Sequence, residues 1–242
     1  MKLLTFLRFF RQLKGKKPVD VDAIQSMGLL AVKLGQIFAL RPDLIDPDRC
    51  IELQQLYSRG ATIPTEDSQN LLQRFAPAGF MDHFKSLEKE PFAAASIGQI
   101  HRGVLNDGSK VVVKIIKADF EASFKRDVRR MKRWITIGLF FRRKLRKVGN
   151  PIGLLAHIED YTLRELNLTN EISGRNDLIS KANEIEKNFP MPKLLFPKMW
   201  DELSNRHVLV MEEIVHPTLE QHLEKGTLSW PDMLELLSLI HI

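Results

Sequence analysis

The sequence predicts an α+β fold in which a helical N-terminal extension precedes a small antiparallel sheet with its own helices. Three observations carry this: apolar residues spaced by three and four through residues 20–90, a strand-turn-strand pattern from 97 to 116, and renewed helical periodicity before a second strand pair. The 242 residues are 44% apolar and 27% charged, an ordinary globular composition that excludes a disordered or fibrous chain. The single cysteine, Cys50, forms no internal disulfide, and no Cys/His spacing resembles a zinc site. Stapled secreted scaffolds are thereby excluded and a reducing compartment is expected. The longest apolar run, Trp134–Phe141, is far shorter than the roughly 20 residues a spanning helix needs.

The elements follow in order. Ile24, Met27, Leu30, Leu34, Ile37 and Phe38 give one apolar helix face, and Arg41-Pro42 ends that helix because proline disfavours α geometry in the residue before it. Pro47-Asp48 opens a second helix through Leu53 and Leu56, and Pro64-Thr65-Glu66-Asp67 a third through Leu71, Leu72 and Phe75. Character changes at Pro91. Residues 97–105 and 111–116 read as strands joined by Asn106-Asp107-Gly108, a hairpin turn. Residues 119–147 and 153–187 read as helices broken at Gly149-Asn150-Pro151, and residues 194–200 and 207–214 as a second strand pair. Ser229-Trp230-Pro231-Asp232 starts a last apolar helix, with Ser229 at the cap, and the chain stops inside it. The expected organisation is an extension over 1–90, a sheet-bearing lobe over 91–217, and the start of a further lobe over 218–242.

Net charge is +6, but the excess is local. Residues 1–17 carry Lys2, Arg8, Arg11, Lys14, Lys16 and Lys17 and no acidic residue, interleaved with leucines and phenylalanines in the manner of an interfacial helix rather than a signal peptide. Residues 125–147 carry eleven basic residues against Asp127 alone. Such segments suit an anionic membrane surface, phosphate backbones, or simply a solvated helix face. No nucleic acid is expected, because neither a recognition-helix motif nor aromatic and basic residues alternating on paired strands is present.

The strongest chemical sign is Lys114, which closes the strand Val111-Val112-Val113-Lys114. An ammonium among three valines must reach a carboxylate, a ligand phosphate or solvent. Protein kinases place a lysine on such a strand to pair with a helix glutamate and contact nucleotide phosphates, whereas the plain alternative is an edge lysine in water. Ahead of it, Ala93-Ala94-Ala95-Ser96 forms a short loop entering the preceding strand, in which alanine lacks the conformational range of glycine.

Four motifs in order resemble the UbiB/AarF family of atypical protein-kinase-like proteins, which is linked to coenzyme Q biosynthesis. Lys33-Leu34-Gly35-Gln36 is similar to the family's K-x-G-Q motif, Pro91 to His101 to its Ala-rich loop region, and Lys114 to its strand lysine. Glu165-Leu166-Asn167, followed by Glu171, resembles its E-x-D motif and helix glutamate, with Asn167 in place of the aspartate. The resemblance implies a kinase-like N-lobe behind an extension that folds over the active-site cleft. It implies that Lys114 and Glu171 set the phosphates of ATP or ADP with Mg²⁺, and that Ala93, Ala94, Ala95 and Ser96 cover them. Lys33, Gln36 and Glu165 would form a gate over the substrate site, with Glu165 also close to the metal, where Asn167 supplies no charge. Met211 would be the gatekeeper of the adenine site, and main-chain groups from Glu212 to Ile214 would meet the base.

A kinase-like catalytic loop and a D-F-G are absent from these 242 residues, which end one helix past the expected hinge. The C-lobe is therefore expected to be largely missing through truncation, and these residues alone to be inactive. The intact protein is expected to be an atypical kinase or ATPase supporting ubiquinone biosynthesis. It would act on a lipid or small molecule, with ubiquinone-pathway proteins or lipids as partners, while cytoplasmic and peripherally bound to a membrane through 1–17 and 125–147. The alternative is a non-catalytic lipid-binding or scaffold module with a pseudokinase-like shape.

Overall fold

The structure, a computed structural model, describes residues 2–15, 17–58, 65–94, 97–116, 120–141, 150–187, 195–217 and 219–233. Its N-terminal helices are α1 (Leu3–Lys14), α2 (Val21–Ser26), α3 (Leu29–Ala39), α4 (Pro47–Ser58) and α5 (Thr65–Phe75). A 3₁₀ turn, Phe80–His83, leads to β1 (Phe84–Leu87), β2 (Ala93–Ala94), β3 (Gly98–Leu105) and β4 (Lys110–Ile116). Then come α6 (Phe120–Phe141), α7 (Pro151–Glu165), α8 (Thr169–Glu186), β5 (Val208–Glu212) and α9 (Leu219–Glu224).

The predicted first long helix is two helices. Gly28, at φ 100°, breaks the apolar face between Met27 and Leu29, and Asp20 caps α2 by accepting from the Ala23 N–H at 2.9 Å. The expected helix over 153–187 is also divided, at Leu166–Leu168, while Asn150 caps α7 by accepting from the Gly153 N–H at 2.8 Å. The strand β1 was not foreseen, because its burial does not alternate strictly and a register shift interrupts its pairing with β3. Residues 195–200 form no strand of the expected pair. Met199 makes a single bridge to Met211, and the long edge of β5 pairs antiparallel with β4.

Among the described residues the sheet runs β1-β3-β4-β5, and β2 joins β3 beside β1. Strand alternation divides the interior in two. Val111, Val113 and Ile115 of β4, with Val208 and Val210 of β5, face a core closed by Leu71, Leu72, Phe80 and Trp200. Val112, Lys114 and Ile116 face the other way, where Ile116 and Leu209 join a larger helical core around Leu30, Phe124, Val128, Leu155 and Leu168. That core also takes Phe9 and Leu13 of α1, both essentially buried, and Phe9 meets Phe38 of α3 at 6.4 Å between ring centres. One apolar side of α1 is therefore internal, while Leu3, Leu4 and Leu7 on its other side stay exposed.

Within the first core lies a buried polar pair on β3. The His101 Nδ1–H donates to the Glu88 carbonyl at 3.0 Å, and Nε2 accepts from the Gln99 amide at 2.8 Å, an arrangement that requires neutral imidazole. Burial, which penalises the charged form, holds His101 below its ordinary pKa, and burial followed by Arg206 does the same for His207. The unfolded chain therefore binds more protons, so this stability is complete above about pH 6.5 and is lost as pH falls through the folded values. The urea midpoint is expected to drop between about pH 7.5 and 5.5, and to drop less in His101→Gln. An equal slope in both proteins would remove His101 as a cause.

Candidate functional site

Two lysines, Lys33 buried and Lys114 half-buried, define the site. Lys33 lies on α3 and is 8% exposed; its Nζ donates to Glu165, the last residue of α7, and sits 5.7 Å from the centre of the Tyr161 ring. The placement starts with Gly35. A Cβ there would come within 2.5 Å of Leu56 Cδ1, so glycine lets α3 lie close against α4 and orients the helix face bearing Lys33. Gln36 is engaged elsewhere than the pair: its amide donates to the Leu56 carbonyl at 3.0 Å, and Tyr57 Oη–H donates to the Gln36 carbonyl at 2.8 Å. Both carbonyls belong to last turns, where helices leave acceptors unfilled. Gln36 thus fastens α3 to α4.

Lys114 is on the opposite strand face from the valine core, level with Leu209 of β5 and Ile100 of β3. Its Nζ donates to Glu171 in the first turn of α8. The joint between α7 and α8 is what separates the two carboxylates. The Leu168 N–H donates to the Arg206 carbonyl at 3.1 Å, tying the joint to the start of β5, and Asn167 Oδ1 accepts from Thr169 Oγ1 at 2.8 Å. Asn167 therefore serves the start of α8.

Beside Lys114 the same face forms a cleft of about 500 Å³. Val112, Ile100 and Met211 line it together with Phe92 and the segment Glu212–His216. Its outer wall is a latch: Arg102 of β3 pairs with Glu213 at 2.6 Å and stacks on the Phe92 ring at 3.8 Å. A second cavity, of about 530 Å³, opens at the Lys33–Glu165 pair between Tyr57, His157 and Tyr161. Thr162 lines it as well, with Oγ1 fully buried and unpartnered. The charge of Glu165, its hydrogen bond and then burial hold the Tyr161 phenol above its ordinary pKa.

Of the Ala-rich loop, Ala93 and Ala94 form β2 against Ile100 and Gln99, while Ala95 and Ser96 lie outside the described residues. A metal finds little here. Among the described residues no three His, Cys, Asp or Glu side chains cluster, and Glu165 and Glu171 are each taken by a lysine. These residues do not by themselves fit a divalent cation.

The ABC1 atypical kinase-like domain matches residues 55–226. The chain belongs to that family. Its relatives include the probable protein kinase UbiB of Cellvibrio japonicus, 28% identical over 79% of this chain and 34% of that protein. The UbiB of Erwinia tasmaniensis is 29% identical over 83% of this chain and 37% of its own length, and an uncharacterized protein of Synechocystis is 31% identical over 77% and 45%. The chain thus spans between about a third and a half of these relatives. Among solved structures, the complex of Rv3197 with erythromycin from Mycobacterium tuberculosis aligns at TM-score 0.51 and 21% identity. That alignment covers 80% of this chain and 46% of the other, and supports a kinase-like fold. Within this ABC1 chain the matched range holds Lys114, Glu165 and Glu171, whereas Lys33 and Gln36 precede it.

Sequence reasoning missed Arg102, Phe92, Tyr57, Tyr161 and Thr162. Arg102 shares a strand face with Ile100, so the alternation of β3 carried a signal for it, and Thr162 falls on the same helix face as the buried Leu155 and Ile158. The Lys33–Glu165 pair is mostly out of water, and removing one partner strands the other. Lys33→Met and Glu165→Gln are each expected to cost about 2 kcal/mol in urea unfolding, and the double variant less than their sum. Strict additivity would mean that the two groups do not interact.

Proposed function

We propose that this chain is the nucleotide-binding portion of a UbiB-like atypical kinase or ATPase that supports ubiquinone biosynthesis, acting on a lipid or small molecule at a membrane. The observation that carries the reading is Lys114, paired with Glu171 on the sheet face that also forms the cleft lined by Val112 and Met211. A strand lysine held by a helix glutamate is the arrangement that orients nucleotide phosphates in kinase-like proteins. The ligand is ATP or ADP, which brings Mg²⁺ on its own phosphates. The base enters between Val112 and Ile100, against Met211 and the main chain of Glu212 to Ile214, and Ala93 to Ser96 cover the phosphates. The Arg102–Phe92–Glu213 latch holds β3 against the hinge segment and narrows the mouth of the cleft.

Lys33, fixed on Glu165 at the second cavity, restricts access on the side of the extension, with Gln36 holding α3 in place. UbiB names among the relatives, and the family's kinase-like domain, support the ubiquinone and phosphoryl-transfer parts of this reading.

Calorimetry and thermal shift with Mg-ATP and Mg-ADP test it. Both nucleotides are expected to raise the Tm of the chain, and Lys114→Ala to abolish the rise; no binding, or binding indifferent to Lys114, would refute a working nucleotide site here. Arg102→Ala is expected to weaken nucleotide binding by roughly three- to tenfold, because it removes a stacked and ion-paired wall. Unchanged affinity would place the latch outside the binding event.

A further inference from the structure

The exposed sides of α1 and α6 contain residues that folding into the two cores leaves unused. On α1, Phe9 and Leu13 point inward, which leaves Leu4 75% and Leu7 55% exposed, with Arg8, Arg11 and Lys14 continuing the same outward side at intervals of three and four. On α6, Phe124, Val128 and Met131 are buried, and the outward side carries Arg126, Arg130 and Arg133, then Trp134, Ile137 and Phe140. Phe140 is 70% and Ile137 48% exposed.

These two sides, more than a hundred residues apart in sequence, meet. The start of α1 lies against the middle of α6, and Lys2, Leu3, Arg130, Arg133, Trp134 and Ile137 enclose a groove of about 400 Å³. Its floor is apolar and its rim cationic. Arg130 lies 3.9 Å from Asp127 and remains about half exposed, so the rim keeps charge to spare.

We propose, building on the membrane part of the function proposed above, that this composite surface is the chain's bilayer contact. Leu3, Leu4, Leu7, Trp134 and Ile137 enter the interfacial region, and Lys2, Arg130 and Arg133 meet the headgroup phosphates of an anionic leaflet. Charge complementarity selects that occupant. Residues 1–17 hold no carboxylate, and a second copy docked by a twofold axis would bring the same cations face to face. A bilayer instead offers phosphate at the rim and hydrocarbon beneath it, in the order in which the protein presents cations and apolar residues.

Flotation of the full chain with phosphatidylglycerol-containing or pure phosphatidylcholine vesicles tests the assignment. A Trp230→Phe background leaves Trp134 as the exposed indole, since Trp200 is buried. The chain is expected to float with the anionic vesicles only, and Trp134 fluorescence to be quenched by lipids brominated on the acyl chain. The Leu4→Ser/Ile137→Ser and Arg130→Gln/Arg133→Gln variants replace exposed residues and are expected to keep the parent Tm. Each is expected to bind anionic vesicles roughly tenfold more weakly, whereas Lys114→Ala binds them as the parent does. Vesicle binding that both variants retain, or an unquenched Trp134, would overturn the surface while leaving membrane association standing. Absence of binding by the parent would overturn both. Self-association without lipid that the Leu4/Ile137 variant loses would reassign the surface to a protein contact.

Discussion

An ammonium group withdrawn from water must find a carboxylate, and this fold has two such groups to satisfy. Lys33 arrives on a helix of the N-terminal extension and Lys114 on a strand of the sheet, and their partners lie six residues apart in the chain. The joint between α7 and α8 reconciles these positions. It ends one helix with Glu165 toward α3 and begins the next with Glu171 toward β4. The backbone bond from Leu168 to Arg206 fixes that joint to the sheet, so extension, helices and strands converge on a few residues. A change in the joint would leave both cations, one buried and one half-buried, unpaired together.

The sheet is the partition on which the site depends. One side of β4 is spent on a closed apolar core, which lets the other carry a lysine without sacrificing strand stability. Val112 and Lys114 are presented on that second face because side chains alternate, and β5 supplies Leu209 and Met211 in register beside them. The closed core has a polar element of its own, the His101–Gln99 pair, which is satisfied internally and confines the first core to neutral imidazole. Chemistry and packing are therefore separated by one strand's thickness.

Much of this architecture was legible in the sequence. The hairpin of β3 and β4 follows from Asn106-Asp107-Gly108 between apolar alternations, and the start of the last helix from Ser229 and Asp232, whose side chains bond at 2.5 Å. The lysine, the two glutamates and the family motifs were visible because residue type and order carry them. Less visible were the breaks at Gly28 and at Leu166–Leu168, where apolar periodicity continues across a change of direction and only backbone geometry interrupts it. The strand β1 escaped for a related reason: a register shift blurs its alternation. Gln36 lines the Lys33–Glu165 cavity, but its bond to the Leu56 carbonyl is a matter of how two helices cross and was not legible.

By itself the sequence determined the α+β order, the places where the chain turns, and which side chains need partners, since burial cost and helical or strand period are local properties. The tertiary structure decided which partner each one meets. It set Lys33 on Glu165 and Lys114 on Glu171, turned Phe9 inward while leaving Leu4 outside, and brought Leu3 to Trp134. Those pairings depend on how helices cross and which way a joint bends, and such geometry is fixed by the packing of the whole core rather than by any stretch of residues.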